Sequence, residues 1–217
     1  MVNSAIKAVI WDFGGVFTSS PFEAFNAYEA ERGLPAGIIR TINSNNPDTN
    51  AWAQLERSEL TADAFDSVFA AEAKALGHDI PGKDILALLS GRLRPRVVEA
   101  LKTCKQHFKV GCITNNAPVG KGASMTSDDQ KARIIEEVFA TFDHVIESSK
   151  AGVRKPDPTI YKMMCEALEI SPDDAVYLDD LGINLKPARA MGMTTIKVLS
   201  EDQLLTDLEK VTGLTFE

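Results

Sequence analysis

The sequence predicts an α/β fold: one parallel sheet with helices on both faces, and an all-helical segment inserted after the first strand. Three observations carry this. Short apolar runs of strand length recur at 5–11 (AIKAVIW), 110–113, 144–146, 175–178 and 194–198, and such continuous runs suit strands buried on both faces. Between them lie segments of helical period at 95–107, 129–140, 158–169, 184–191 and 202–211. Strand alternating with helix implies parallel strands joined by right-handed crossovers. The stretch 18–92 breaks the alternation, with helical patterns at 21–32, 35–43, 50–57 and 61–76, punctuated by Gly33, Pro47 and Gly77. Ser20-Pro21-Phe22-Glu23 has the form of a capping box with Pro at the first helical position. The expected organisation is a core of 1–17 and 93–217, with 18–92 as a helical cap over the active site, where such lids exclude water and contact substrate.

Composition narrows the class of function. The chain has 217 residues, 44% hydrophobic and 25% charged, which is ordinary for a globular protein. A formal charge of -8 provides no whole-molecule positive field to draw in nucleic acid or an anionic membrane. A small phosphorylated substrate, which needs only local positive charge, is still allowed. Cys104, Cys112 and Cys165 include no C-x-x-C pair and are too few for a disulfide framework, so a reduced, cytoplasmic setting is expected. His78, His107 and His144 lack zinc-site spacing. The apolar runs fall short of the ~18 residues a membrane helix needs, and the four residues before the first strand leave no room for a signal peptide. A monomer or a homodimer is expected, without membrane or nucleic-acid partners.

In doubly wound sheets, ligands bind beyond the carboxyl ends of the strands, and the chemically expressive residues fall there. Asp12 ends the first apolar run and is followed by Gly14-Gly15; a carboxylate in that position can be a nucleophile, a metal ligand or a turn former. Asp179-Asp180 ends another buried strand, and two adjacent carboxylates are costly to bring together unless a cation sits between them. Hard oxygen ligands with room for water suit Mg²⁺. Thr114 and Asn115, after a third strand, can offer hydroxyl, amide and backbone N–H groups to an oxyanion. Lys155 precedes Pro156-Asp157-Pro158, where Asp157 can cap the following helix and the lysine stands just ahead of its positive end. Lys150 competes for that role on spacing alone. Asp173-Asp174, after Ser171-Pro172, reads as a solvated turn. Gly120-Lys121-Gly122 resembles a phosphate-binding loop, but the pattern needs Gly at 115 and Ser or Thr at 122, so it fails.

Taken in order, Asp12-x-Gly14-Gly15-Val16, Ile113-Thr114-Asn115, Arg154-Lys155-Pro156-Asp157-Pro158 and Tyr177-Leu178-Asp179-Asp180 resemble the four motifs of the haloacid dehalogenase-like superfamily. The segment YLDDLGINLKPARAMGM within 155–198 is similar to the amino-terminal phosphatase domain of soluble epoxide hydrolase and its bacterial relatives. The resemblance implies a Rossmann-like core with a helical cap and a hydrolase. It further implies Asp12 as nucleophile and Lys155, rather than Lys150, as the motif-three lysine. Mg²⁺ would be held by Asp12, the backbone carbonyl of Gly14 and Asp180, with Asp179 and Asn184 in support. Thr114, Asn115 and Lys155 would bind the phosphoryl oxygens.

The sequence departs from the phosphatase pattern at Gly14, where the superfamily's phosphatases usually carry a second Asp as general acid and base. The carbonyl contact to metal survives this change and the proton donor does not. Three readings follow. One is a phosphatase or phosphotransferase with another donor, Thr18 or a cap residue, or with an easy leaving group. The second is a metal-independent 2-haloacid dehalogenase, with Arg40 in the cap binding carboxylate or halide, although that leaves Asp179-Asp180 unexplained. The third is a catalytically weak binding or regulatory protein that kept the fold. The aromatic residues Phe22, Phe25, Tyr28, Trp52 and Phe65, at helical spacing, are expected in the core of the insert rather than against substrate.

Overall fold

The computed structural model describes residues 2–89, 91–116 and 129–216; the Gly120-Lys121-Gly122 segment lies outside them. Five strands form one sheet: β1 (Ala8–Trp11), β2 (Lys109–Thr114), β3 (His144–Glu147), β4 (Ala175–Asp179) and β5 (Thr194–Lys197). Their order is β3-β2-β1-β4-β5 and every pairing is parallel. The chain therefore adds strands on one side of β1 and then crosses to the other, which makes the carboxyl end of β1 the switch point where ligands bind in such sheets. Trp11 is in register with Cys112 on β2 and Leu178 on β4, so Asp12, Thr114 and Asp179 emerge side by side. The first strand is shorter than the apolar run: Lys7 is exposed and pairs with Asp174 at 2.8 Å, on the 3₁₀ turn Pro172–Asp174.

Helices cover both faces. On one side α6 (Pro95–Lys105), α7 (Asp129–Thr141) and α11 (Glu201–Thr212) close over Val9, Trp11, Val110, Cys112, Val176 and Leu178. On the other α9 (Pro158–Leu168) and α10 (Gly182–Ala190) pack Ile160, Tyr161, Met164 and Leu185 against Ala8, Ile10, Ile113 and Tyr177. Each central strand thus buries alternate side chains on opposite faces, which is why its sequence reads as an unbroken apolar run. All three cysteines are buried free thiols, and no helix among the described residues is long and apolar enough to cross a membrane.

Between β1 and α6 lie α1 (Pro21–Glu31), α2 (Ile38–Ser44), α3 (Ala51–Glu56), α4 (Ala62–Ala75) and α5 (Gly82–Ala87). They gather around a cluster of their own, including Phe25, Ile39, Ile42, Leu55, Phe65, Phe69, Ile80 and Ile85. Ser20 caps α1 by accepting a hydrogen bond from Phe22 N–H at 3.4 Å. Two short helices go beyond the sequence reading, α5 and α8 (Ser148–Ala151). At six and four residues they are too short for a period to show, and α5 is held by packing on α4 rather than by its own propensity. The helix at 184–191 starts earlier, at Gly182, and accommodates Pro187 inside it.

Candidate active site

Asp12 leaves the end of β1 with its backbone fixed, N–H donating to the Leu178 carbonyl at 2.8 Å. Its carboxylate Oδ1 accepts from Phe13 N–H at 2.7 Å and sits 2.7 Å from Lys155 Nζ. Both contacts fall on Oδ1, and Asp12 lines the adjoining cavity. The loop that follows is wound tightly: Val16 and Phe17 N–H groups bond to the Phe13 carbonyl, and Arg94 Nη1 ties down the carbonyls of Gly15 and Val16 at 2.9 and 3.3 Å. Gly15 has φ +76, and a side chain there would collide with the Asp180 carboxylate. The glycine both makes the turn and admits Asp180. Gly14 is different, since a Cβ added there meets no atom within 4 Å.

The two carboxylates after β4 have separate surroundings. Asp179 is fully buried and accepts from Lys155 Nζ (2.8 Å), Tyr177 Oη (2.5 Å), Leu181 N–H (2.7 Å) and Asn184 Nδ2 (3.0 Å). Its lone pairs are taken by protein donors. Asp180 instead lines the cavity, with Ser20 Oγ donating to it at 3.4 Å. Asn184 is itself held, its carbonyl accepting from Tyr161 Oη at 2.7 Å. Carboxylate oxygens of Asp12, Asp179 and Asp180 lie within 4.8 Å of one another, a spacing and donor chemistry that fit a small hard cation.

Burial and mutual repulsion set the electrostatics of the cluster. Burial, together with the charges of Asp179 and Asp180, holds the Asp12 carboxyl well above its ordinary range despite Lys155. Burial and the Asp179 charge push Asp180 up to about 6. Burial disfavours the Lys155 ammonium, but Asp12 and Asp179 outweigh that and its pKa is raised. The cluster carries more negative charge than Lys155 balances. Because folding tightens the proton on Asp180, the metal-free fold is favoured while Asp180 is protonated and weakened as pH rises from about 4 through about 6. The wild type should therefore lose about 2 kcal/mol relative to Asp180→Asn between pH 4 and 7, at about 1.4 kcal/mol per pKa unit. Urea unfolding of both proteins at the two pH values measures this. A constant difference would refute the assigned strain.

The remaining sequence candidates fall as follows. Thr114 is buried at the end of β2 and lines the cavity. Asn115 also lines it, but its side chain is engaged: Oδ1 accepts from Lys155 N–H at 2.9 Å and Nδ2 donates to the Lys155 carbonyl at 3.0 Å. What Asn115 leaves for an oxyanion is main chain. Lys155 is 1% exposed, whereas the Lys150 side chain is 76% exposed and pairs with Glu147. Thr18 is buried with its hydroxyl facing Gly15 N–H at 3.4 Å. Asp157 caps α9 by accepting from Thr159 N–H.

The cavity has a volume of about 780 Å³. Phe25 and Phe65 are buried in the core of the insert, and Phe22, Tyr28 and Trp52 pack against it, yet Phe22, Phe25 and Trp52 also form cavity wall. All five aromatic residues thus belong to the core of the insert or pack against it, as their helical spacing predicts. Arg40 lies over the Phe22 ring at 4.3 Å. Sequence reasoning missed Glu56 and gave Arg154 no task. Glu56 is buried and pairs with Arg154 at 2.6 Å beside Asn115. The available signal was a charged residue continuing the buried face of α3 after Leu55.

A family model described as haloacid dehalogenase-like hydrolase matches residues 6–192. The chain belongs to this family. Bifunctional epoxide hydrolase 2 of Sus scrofa is 30% identical over 97% of this haloacid dehalogenase-like hydrolase, in a match covering 39% of the relative. The chain thus spans well under half of that relative's length. A sesquiterpene phosphatase of Aspergillus oryzae is 26% identical over 97% of the chain and 98% of its own. The fold is shared with a Bacteroides thetaiotaomicron enzyme solved with magnesium and inorganic phosphate, at a TM-score of 0.59 and 19% identity, covering 90% of this chain and 96% of that one.

Proposed function

We propose that this hydrolase is a phosphatase or phosphotransferase that acts through an aspartyl-phosphate on Asp12, with Mg²⁺ as cofactor and a small phosphorylated metabolite as substrate. The observation that carries the reading is the pairing of Asp12, its Oδ1 fixed by Lys155, with Asp180 as the second carboxylate at the cavity while Asp179 is saturated by protein donors. Residues 18–92 act as the cap domain of a core made of 1–17 and 93–217. Asp12, the Gly14 carbonyl and Asp180 would hold Mg²⁺, with Asp179 and Asn184 behind them. When bound, the ion supplies charge that lets an anionic substrate approach an anionic nucleophile. Asp12 Oδ2 attacks phosphorus in line as the leaving oxygen departs, and water then cleaves the acyl-phosphate to regenerate the carboxylate and release phosphate. Thr114 Oγ1, the main chain at Asn115 and Lys155 Nζ take up the charge on the phosphoryl oxygens. The cavity greatly exceeds a phosphate group, and its Phe22, Phe25, Trp52, Leu89 and Val153 walls suit a substrate with an apolar body. The Aspergillus relative is a sesquiterpene phosphatase, and a sesquiterpene is such an apolar body.

The deciding experiment incubates the protein with p-nitrophenyl phosphate and acetyl phosphate, with and without Mg²⁺, beside 2-chloropropionate. Phosphate release that needs Mg²⁺ is the expected result. Chloride release indifferent to EDTA would establish the dehalogenase reading instead, and metal binding without turnover on any substrate would establish a binding protein. Gly14→Asp adds a test. With space open at Gly14, the introduced carboxyl should raise turnover of alkyl phosphates roughly tenfold or more, part of the ~10²–10⁴-fold that general acid–base catalysis supplies. Acetyl phosphate, whose leaving group needs little protonation, should gain much less. Equal gains on both substrates would sink the account of the missing acid.

A further inference from the structure

Glu56 is a buried carboxylate on the cavity wall to which the chemistry above gives no task. It is the last residue of α3, and its side chain is 7% exposed. Oε2 lies 2.6 Å from Arg154 Nε and 3.5 Å from Asn115 Nδ2. Asn115 in turn clasps both backbone polar groups of Lys155, and Lys155 Nζ holds Asp12 at 2.7 Å. Three links therefore run from a helix of the insert to the reactive carboxylate, Glu56 to Asn115 to Lys155 to Asp12, and every side chain along the way is buried or half-buried.

The same strip is where the insert is fastened to the core. Ser148 Oγ donates to the Glu56 carbonyl at 2.8 Å, Ser58 Oγ to the Ser149 carbonyl at 2.6 Å, and Arg154 Nη1 to the Pro47 carbonyl at 3.1 Å. The chain connections at the other end of the insert bond to each other instead: Ser19 N–H to the Arg92 carbonyl at 2.8 Å and Arg94 N–H to the Phe17 carbonyl at 2.7 Å. An insert tied through its connections at one place and through polar side chains at another can be seated or lifted by making or breaking the second set. Glu56 is the member of that set whose charge reaches both Arg154 and the asparagine that fixes Lys155.

We propose that Glu56 is a positioning residue: through Arg154 and Asn115 it ties the seating of the helical insert to the placement of Lys155 and thereby of Asp12. Its kinetic consequence rests on the phosphatase reading. Substrate that lets the insert seat would then add the Glu56 contact to the core donors that already hold Lys155 and Asp12.

The test uses the full chain with p-nitrophenyl phosphate and Mg²⁺. Glu56→Gln should lower kcat about tenfold and move KM less than about threefold, the sign of misplaced reacting groups rather than lost binding. Glu56→Asp should recover part of the loss. Arg154→Gln should match Glu56→Gln, and the double variant should be no worse than either, since both act through one contact. The limbs of the pH profile should stay in place. A rise in KM alone, additive losses, or a vanished limb, which would make Glu56 the proton donor, each overturns the proposal. Hydrogen exchange gives a readout without turnover: amides of 51–58 and 148–155 should exchange faster in Glu56→Gln, with β4 and α9 unchanged. If the wild type proves inactive the phosphatase reading falls, and exchange still decides the link. Unchanged exchange overturns it whatever the activity, and Glu56→Asp supplies the measurement should Glu56→Gln not fold.

Discussion

Asp12→Asn should leave a folded protein that releases phosphate at less than about a thousandth of the wild-type rate, the scale on which removal of a nucleophile acts. The fold should survive because the carboxylate is not there for stability. Burial and the neighbouring charges of Asp179 and Asp180 already work against its ionised form, so a neutral amide of the same shape relieves repulsion. What is lost on the other side is one partner of Lys155, which keeps Asp179 at 2.8 Å. The melting temperature should consequently stay near the wild-type value, or rise in the absence of Mg²⁺. Activity and melting are measured on one preparation. Residual turnover above a tenth of wild type would place the nucleophile elsewhere, and a collapse in melting temperature would mean that Asp12 is structural.

That Asp12 could be singled out from the sequence follows from the architecture. A parallel sheet buried on both faces writes its strands as unbroken apolar runs, so the residue ending each run is visible, and the sheet brings those ends together. Asp12, Thr114 and Asp179-Asp180 were legible for this reason. Side-chain direction was not. Apart from the family resemblance, nothing in Asp179-Asp180 says which carboxylate turns inward; that depends on Tyr177, Asn184 and Lys155 arriving from β4, α10 and the loop before α9. Asn115 likewise reads as a polar residue after a strand, and only the fold sets it against the backbone of Lys155, 40 residues on. Glu56 was hidden because its partner, Arg154, lies across the seam between insert and core. α5 and α8 were hidden because tertiary packing, not periodicity, makes them helical.

Lys155→Met should be strongly destabilising. The lysine is 1% exposed and bridges two buried carboxylates, Asp12 at 2.7 Å and Asp179 at 2.8 Å. Methionine fills nearly the same volume, so the change removes charge rather than packing. Two buried anions are then left facing each other, and deleting one partner of a buried pair typically costs ~3–5 kcal/mol. Denaturant unfolding should show a loss of this size without Mg²⁺. A cation held by Asp12 and Asp180 can take over part of the charge balance, so Mg²⁺ should recover a share of it. Asp179→Asn placed on the same background should also recover stability, because it removes the anion that the lysine no longer offsets; that non-additivity separates electrostatics from packing. A loss below about 1 kcal/mol, or one that Asp179→Asn deepens, would show that the carboxylates are held by their other donors and that Lys155 serves substrate alone.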